Sequence, residues 1–316
     1  MCHNFPSSRC PKNEYPSQPE DWPYMFDCPY SLETNAAYEK WRDRKLNAYP
    51  GKAEDLLTEI RDPVNLTKRE IDSIRKTVGL ANFALYQSRG VMDKADLVCF
   101  AAQLGLHRIV ANPEADQYGI STLRVDSTDP RPRYIPYGNQ PLNWHTDGYY
   151  NPDSARIRSF VLHCTSPADQ GGGNRMLDHE IVYIRLRDEN PRFIRALMHP
   201  EAMRIPANVS EKGILRNDTV GPVFSLDRCG HLNMRYTART RSIQWRDEPV
   251  LDLARQRIAT LLEKSDCIFS HTLQAGQGLI CNNVLHARTG FTDSANQARL
   301  IYRARYHDRV ETTPHS

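Results

Sequence analysis

Two side chains that can bind a metal ion stand two positions apart in the segment NWHTDGYY, residues 143–150. If this segment is extended, His145 and Asp147 point to the same side, because residues i and i+2 of a strand share a face. Two ligands hold a metal ion poorly, so a third must come from elsewhere in the chain. His286, in NNVLHARTG after the apolar run GLIC, is the candidate. Two histidines and one carboxylate form the facial triad of non-haem Fe(II), which leaves coordination positions open for dioxygen and a chelating co-substrate.

Other interpretations compete with this one. A His-x-Asp pair also occurs by chance in ordinary polar turns. The chain has 11 histidines, so nine besides His145 and His286 compete for the third place, and spacing alone does not choose among them. A zinc-dependent hydrolase and a non-catalytic metal-binding or sensing barrel would use the same three ligands.

The arginine-rich segment ARLIYRARY, which follows His286, favours the histidine at that position. On a strand, Arg299, Arg303 and Arg305 share one face and alternate with Leu300, Tyr302 and Ala304. A guanidinium group can bind a carboxylate through two parallel hydrogen bonds. The segment therefore predicts an anion-binding face next to the metal ligands. The alternative is an edge strand with its arginines in water.

The composition narrows the class of protein. Of the 316 residues, 40% are hydrophobic and 25% charged, and the net charge is +3, as in ordinary globular proteins. No dense basic stripe indicates nucleic acid, and no apolar run is long enough for a membrane span. The first residues contain no apolar core of a signal peptide, so we do not expect secretion. The eight cysteines are scattered without a disulfide framework, which favours the cytoplasm. A zinc site on Cys2, Cys10 and Cys28 is weakly supported because it lacks a Cys-x-x-Cys pair.

Short β-like runs separated by turns dominate the chain from about residue 120, with helical insertions at 179–198 and 249–266. Upstream, Thr67 and Glu70 form a capping-box pattern that opens a helix. A strand at 81–88 and a second helix at 93–105 follow. This pattern predicts a mainly β fold with a helical layer, in the form of a sandwich or barrel. We divide the chain into an irregular and helical N-terminal arm, 1–60, and one domain with helical insertions, 61–316.

Four segments in this order resemble the Fe(II)/2-oxoglutarate-dependent dioxygenases of the taurine dioxygenase and γ-butyrobetaine hydroxylase superfamily, over about 80–310. They are NWHTDGYY, the glycine turn QGGGNRMLD, the run AGQGLICNNVLHART and the arginine-bearing last strand. Short strings, among them MRY at 234–236, place the chain near the glutarate hydroxylase branch. The resemblance implies a double-stranded β-helix, a jelly-roll or cupin-like core. It also implies a homo-oligomer, since relatives are often dimers or tetramers.

The resemblance implies roles as well. His145, Asp147 and His286 would bind Fe(II), and Arg299 would bind the distal carboxylate of 2-oxoglutarate. With O2, such an enzyme hydroxylates an unactivated C–H bond of a small metabolite, here one that bears a carboxylate, and releases succinate and CO2. The retained Asp147 argues against a halogenase, which needs that coordination position for halide.

The chain departs from the family pattern at one place. Many relatives have a threonine after the Gly-Gly turn, whereas this sequence has Arg175 near that position, after an extra glycine that leaves the register open. Arg175 is therefore a candidate for binding a carboxylate of the co-substrate or of the substrate, and the alternative is that it points outward. Arg303, on the same strand as Arg299, is a candidate for binding the substrate. Arg235 is a second candidate, since it alternates with Thr237, Arg239 and Arg241 on one face of LNMRYTART. Tyr149, Tyr150 and Asn143, which flank the ligands, are further candidates. Packing tyrosines and a turn-capping asparagine are the alternatives. The polar segment 205–222 is a candidate lid.

Overall fold

The computed structural model describes residues 28–110, 115–125, 135–210 and 213–312. Cys2, Cys10 and most of the N-terminal arm lie outside this part of the chain, and the domain boundary at residue 60 stays a prediction. Cys28, the third candidate zinc ligand, is a buried free thiol.

The predicted helices form. The described helices are α1 (Ala36–Ala48), α2 (Lys68–Ala81), α3 (Lys94–Gln103), α4 (His179–Glu189), α5 (Pro191–Leu197) and α6 (Pro249–Lys264). Thr67 and Glu70 form the predicted capping box at the start of α2, and Asp93 forms another with Asp96 at α3. The predicted insertion at 179–198 is two helices, because Asn190 leaves the helical conformation and Pro191 starts α5.

The largest sheet of the described residues has six strands. In spatial order they are β1 (Leu57–Ile60), β2 (Phe83–Ser88), β16 (Gln277–Cys281), β5 (Ser159–Ser166), β19 (Leu300–Tyr306) and β3 (Ser121–Leu123). All neighbours are antiparallel except β1 and β2. The strand β1 therefore joins this sheet although it precedes residue 61.

A second sheet has four strands and carries the candidate ligands. In spatial order they are β15 (Phe269–His271), β7 (Asn174–Leu177), β17 (Leu285–Arg288) and β4 (Leu142–His145). All pairs are antiparallel.

Shorter strands make up the rest of the described β-structure. They are β6 (Gln170–Gly171), β8 (Met203–Ile205), β9 (Asn208–Ser210), β10 (Gly213–Arg216), β11 (Thr219–Gly221), β12 (Phe224–Leu226), β13 (Leu232–Met234), β14 (Gln244–Trp245) and β18 (Phe291–Thr292). The strands β9 and β10 form a hairpin within the predicted lid segment, and Val209 and Ile214 on it are exposed. The chain is mainly β with helices, as the sequence predicts.

Three buried apolar clusters separate the layers. One lies between the two larger sheets and draws Phe83, Phe160 and Ile301 from the first and Met176 and Phe269 from the second. Another lies between the outer face of the six-stranded sheet and the helices α2 and α3. The largest joins the outer face of the four-stranded sheet to α1, α4, α5 and α6. Each sheet is therefore covered on both faces, and the space between the sheets is the interior of the fold.

The run QGLICNNVLHA looks like one β segment but forms two strands in different sheets. The strand β16 ends at Cys281 in the six-stranded sheet, and β17 begins at Leu285 in the four-stranded one. Asn283 lies between them with φ of 52°. Asparagine tolerates this left-handed conformation better than most residues, so it allows the chain to cross between the sheets.

Within the described ranges, the structure contains no helix that is both long and apolar enough to span a membrane.

Candidate metal centre

The two histidines meet through direct strand pairing. His145, the last residue of β4, is the register partner of His286 on β17, and the ring centroids are 4.2 Å apart. Directly paired residues point to the same face of a sheet. Both imidazoles therefore face the interior, where the ring of Phe160 from the opposite sheet lies 4.7 Å from that of His286.

Backbone contacts orient both rings in the same way. Nδ1 of His145 lies 2.8 Å from the carbonyl oxygen of Asn143, and Nδ1 of His286 lies 3.0 Å from that of Val284. A carbonyl oxygen accepts a hydrogen bond, so each Nδ1 carries the hydrogen and donates, and each Nε2 keeps a free lone pair. This tautomer is the one that a metal ligand of this kind needs.

The two Nε2 atoms converge on Asp147. They lie 3.6 Å (His145) and 3.9 Å (His286) from its Oδ1, and the three possible ligand atoms are all within 4.8 Å of one another. The structure thus brings together the three residues that the sequence analysis selected. Among the histidines that the structure describes, His286 is the one that forms a cluster with the His-x-Asp pair.

The charge states suit metal binding. Burial, and secondarily the neighbouring His145, lowers the pKa of His286 to about 3, so its imidazole is neutral at pH 7. For Asp147, burial raises the pKa, but Arg303, the contact with His145 and the charge of Arg305 outweigh it and hold the pKa far below its usual range. The site therefore offers a neutral imidazole at His286 and a carboxylate at Asp147.

Arg303 and Arg305 lie on the interior face of β19. Their register partners are Leu162 and Phe160, which belong to the cluster between the sheets. Both arginines are 9% exposed. Although burial lowers the pKa of Arg305, the charge of Asp147 and contact with Tyr150 raise it overall. The predicted positive face thus exists, and it is buried rather than solvated.

Arg299 lies just before β19 and is 5% exposed. Its guanidinium lies over the ring of Phe291, 5.0 Å from the centroid, and beside Gly172, where a Cβ would stand 3.4 Å from Nε. Burial, with the nearby charge of Arg288, lowers the pKa of Arg299 to about 10, so it stays a cation at pH 7. Within the described residues neither Arg299 nor Arg303 forms an ion pair, and Nε of Arg303 is buried without a hydrogen-bond partner.

The structure does not bring Arg175 to the ligands. Arg175 pairs with Ala287 on β17, which is next to His286 in the chain. Its side chain therefore points to the face of the sheet opposite the one that carries the ligands. There its guanidinium lies 5.0 Å from the ring centroid of Trp144. Asn174 and Met176, its neighbours on β7, are the residues that point into the interior. The predicted contact between Arg175 and the co-substrate has no support in this geometry.

Arg235 is bound to the backbone. It donates to the carbonyl oxygens of Tyr149 (2.7 Å), Met203 (2.9 Å), Gly221 (3.2 Å) and Thr219 (3.0 Å). Burial lowers its pKa to about 10. With its donors used in this way, Arg235 holds β8 and β11 against the loop after Asp147 instead of offering its charge to a ligand.

The remaining candidates lie beside the ligands. Tyr149 is half-buried, with its ring 6.4 Å from that of His145 and its hydroxyl 2.8 Å from Arg239. Tyr150 packs on Tyr149 at 5.1 Å. The Asn143 side chain is exposed, and it is the backbone carbonyl of this residue that contacts His145.

A cavity of about 620 Å³ lies behind the Asp147 loop. It shares Asp147, Tyr149 and Arg235 with the surroundings of the site, but neither histidine nor Arg303 lines it. Thr146, Phe224 and Met234 line it instead, and the last two belong to the cluster outside the four-stranded sheet. This cavity therefore borders the site at Asp147 and not at the two histidines.

Comparison with known proteins agrees with this arrangement. Residues 46–305 match the model of the family described as taurine catabolism dioxygenase TauD, TfdA family. A uridine-5'-phosphate dioxygenase from a Streptomyces species is 32% identical over 168 residues, which are 51% of this chain and 60% of that protein. One from an Amycolatopsis species is 29% identical over 191 residues, 59% of this chain and 67% of that protein.

Solved structures share the fold. An asparagine oxygenase, solved with Fe(II), 3-hydroxyasparagine and succinate, superposes with a TM-score of 0.56 at 14% identity, over 75% of this chain and 78% of that one. The non-heme iron oxygenase OrfP, solved with Fe and alpha-ketoglutaric acid, also gives 0.56 at 14% identity, over 77% and 81%. With the family model covering most of its length, the chain belongs to the TauD/TfdA family of dioxygenases.

Proposed function

We propose that this protein is an Fe(II)/2-oxoglutarate-dependent dioxygenase that hydroxylates a small anionic metabolite. One observation carries the proposal: two imidazole Nε2 atoms and a carboxylate oxygen converge in the interior of the fold, next to buried arginines that form no ion pair within the described part of the chain. Family membership supports the same chemistry.

The donor set fits Fe(II). Oδ2 of Asp147 is buried and has no hydrogen-bond partner within the described part of the chain. A buried carboxylate oxygen in that state is costly unless a cation binds it. Two imidazole nitrogens and one carboxylate are the ligands that non-haem Fe(II) takes in oxygenases. His145, Asp147 and His286 would therefore hold the ion.

Arg299 is the proposed partner of the distal carboxylate of 2-oxoglutarate. It is buried, cationic and free of acidic partners among the described residues, and the side-chain-free Gly172 leaves room beside it. A buried guanidinium of this kind needs an anion, and a carboxylate matches its geometry.

Arg303 is the proposed partner of the substrate's anionic group. Its charge acts on Asp147, so it lies close to the ligands, and its Nε has no partner. Arg305 adds a second buried cation on the same face. The predicted carboxylate fits these groups, and so does a phosphate monoester, which the name of the uridine-5'-phosphate dioxygenases indicates for those relatives.

We further propose that the two larger sheets form the core of the expected double-stranded β-helix. Their interior faces enclose one apolar cluster, and the ligands lie on the smaller sheet at the end of β4. The solved structures of similar fold support this assignment. The homo-oligomer and the cytoplasmic location stay predictions.

The mechanism assigns separate tasks to the residues of the chain. Fe(II) with 2-oxoglutarate supplies the activation of O2, so that the 2-oxo acid is oxidised to succinate and CO2 while a substrate C–H bond gains a hydroxyl group. Arg299 orients the co-substrate, and Arg303 and Arg305 fix the substrate so that one C–H bond faces the ligands. Phe160 and the apolar cluster behind it keep water from the reacting groups. The carbonyls of Asn143 and Val284 hold both imidazoles in the ligand tautomer.

Succinate release tests the function. The protein is incubated in air with Fe(II), 2-oxoglutarate and panels of small carboxylates, amino acids and nucleoside monophosphates. We expect one class of anion to increase succinate formation in step with a product heavier by one oxygen. Succinate formation that is unchanged in the His286→Ala variant would contradict the proposal.

A further inference from the structure

Both backbone polar groups of Asp147 bond to one side chain. The N–H of Asp147 donates to Oδ1 of Asn283 at 2.7 Å, and Nδ2 of Asn283 donates to the carbonyl oxygen of Asp147 at 2.9 Å. The same Nδ2 also donates to the carbonyl oxygen of Ile157 at 2.8 Å. A primary amide that accepts from the N–H and donates to the carbonyl of one residue makes the two hydrogen bonds that a neighbouring strand would otherwise supply.

Asp147 needs such a contact because the strand ladder does not reach it. The pairing of β4 with β17 ends at His145, and its register is irregular between His286 and Arg288. Asp147 follows in a turn. Its carboxylate accepts no hydrogen bond from a described residue, since Oδ2 has no partner there and Oδ1 stands 3.6 Å from the nearer histidine. The position of the carboxylate therefore depends on its backbone.

Asn283 is itself firmly placed. It is 9% exposed, and it stands in the left-handed conformation at the point where the chain crosses between the two sheets. It precedes His286 by three residues. The Asn283 amide thus links the backbone of the carboxylate ligand to the segment that carries the second histidine.

We propose that Asn283 is a positioning residue that sets the distance between the Asp147 carboxylate and the two imidazoles. This inference rests on the proposed function, since it takes these three side chains as the metal ligands. Residues that support metal ligands typically change metal affinity about 10- to 100-fold when mutated. Loss of the Asn283 amide should weaken metal binding within this range without unfolding the protein.

Metal titration of the folded apoprotein tests the proposal, with Co(II) as the probe. The test variant is Asn283→Gly, which removes the amide but tolerates the positive φ. The matched control is Asn282→Ala, which removes a buried amide from the same turn. Asn282 accepts a hydrogen bond from the N–H of Val310 (2.9 Å) and forms no hydrogen bond with Asp147. The dissociation constant and the visible d–d spectrum of bound Co(II) are the readouts.

We expect Asn283→Gly to bind Co(II) about 10- to 100-fold more weakly than wild type, with an altered d–d spectrum. Asn282→Ala should stay within threefold of wild type. If Asn283→Gly does not fold, Asn283→Ser decides, because it also lacks both amide donations. Affinities of the Asn283 variants within threefold of wild type, or an equal loss in both Asn283 and Asn282 variants, would overturn the inference.

Failure of the proposed function would give a different result in the same titrations. In that case wild type itself would bind no Co(II), or His286→Ala would bind it as well as wild type. Tight wild-type binding that is lost in His286→Ala, with no effect of Asn283, would leave the metal centre standing and remove only the positioning role.

Discussion

Arg303 on β19 and Arg235 after β13 differ in what their guanidinium groups bond to. Arg235 donates to four backbone carbonyls and joins three segments of chain. Arg303 is more deeply buried, its Nε has no partner and it forms no ion pair within the described residues, although its charge acts on Asp147. The sequence marks both residues as candidate anion-binding arginines. The two differ in unused hydrogen-bonding capacity, and on this ground we propose Arg303, and not Arg235, as the arginine that binds a ligand.

The largest effect should come from Arg303. With the guanidinium removed, Arg303→Ala should lower kcat/KM for the anionic substrate about 100-fold or more, because a buried charge pair is lost from the bound state. Its thermal unfolding should change little, since Arg303 makes no hydrogen bond to be lost within the described chain. Steady-state kinetics and a melting curve check both expectations.

Arg303→Lys is the control, because it keeps the charge but not the planar fork. We expect it to recover part of the loss. An Arg303→Ala enzyme with near-normal kcat/KM would show that the unused guanidinium is not a binding group.

Arg235 should show the opposite behaviour. Arg235→Ala leaves four carbonyls without their donor, so the free energy of unfolding should fall by about 2–4 kcal/mol. The folded fraction should keep its KM for both substrates. Urea unfolding of the variant, with activity measured per folded molecule, makes this test.

Arg204→Ala is a suitable control for Arg235, since Arg204 lies on β8 and its side chain forms, within the described residues, an exposed ion pair with Asp218 at 2.8 Å and no other. Such pairs contribute about 0–1 kcal/mol. Equal destabilisation by the two substitutions would contradict the structural role of Arg235.

Arg175 should show the smallest effect. Arg175→Met removes one cation–π contact with Trp144, which is worth about 0.5–1 kcal/mol at a partly exposed site. KM for 2-oxoglutarate should stay within twofold of wild type. A large increase in the KM for 2-oxoglutarate would support the predicted contact of Arg175 with the co-substrate. It would also mean that the Arg175 side chain faces the interior in solution.

Features that depend on residues close together in the chain could be predicted from the sequence. His145 and Asp147 belong to one short motif, and the i, i+2 rule is enough to place both on one side. The capping boxes of α2 and α3 are local as well, because their partners are three residues apart. The buried face of β19 follows from alternation once its arginines are recognised.

Neither the face of the sheet on which Arg175 lies nor the proposed role of Asn283 could be predicted in this way. A shift of one residue after the turn at Gly171–Gly173 moves every side chain of β7 to the other face, and the extra glycine leaves that register open. Asn283 contacts Asp147 across 136 residues of chain, and its side chain resembles any asparagine in a turn. The Asn-Asn pair was a local signal for the break between β16 and β17, but it does not reveal the partner.

The most direct test of the central claim is the visible charge-transfer absorption that arises when a 2-oxo acid chelates iron, recorded anaerobically with Fe(II) and 2-oxoglutarate. We expect wild type and Arg303→Ala to show the band at similar 2-oxoglutarate concentrations, and Arg299→Ala to show it weakly or only at much higher ones. A wild-type protein that binds iron but gives no band would contradict the assignment of 2-oxoglutarate to this centre.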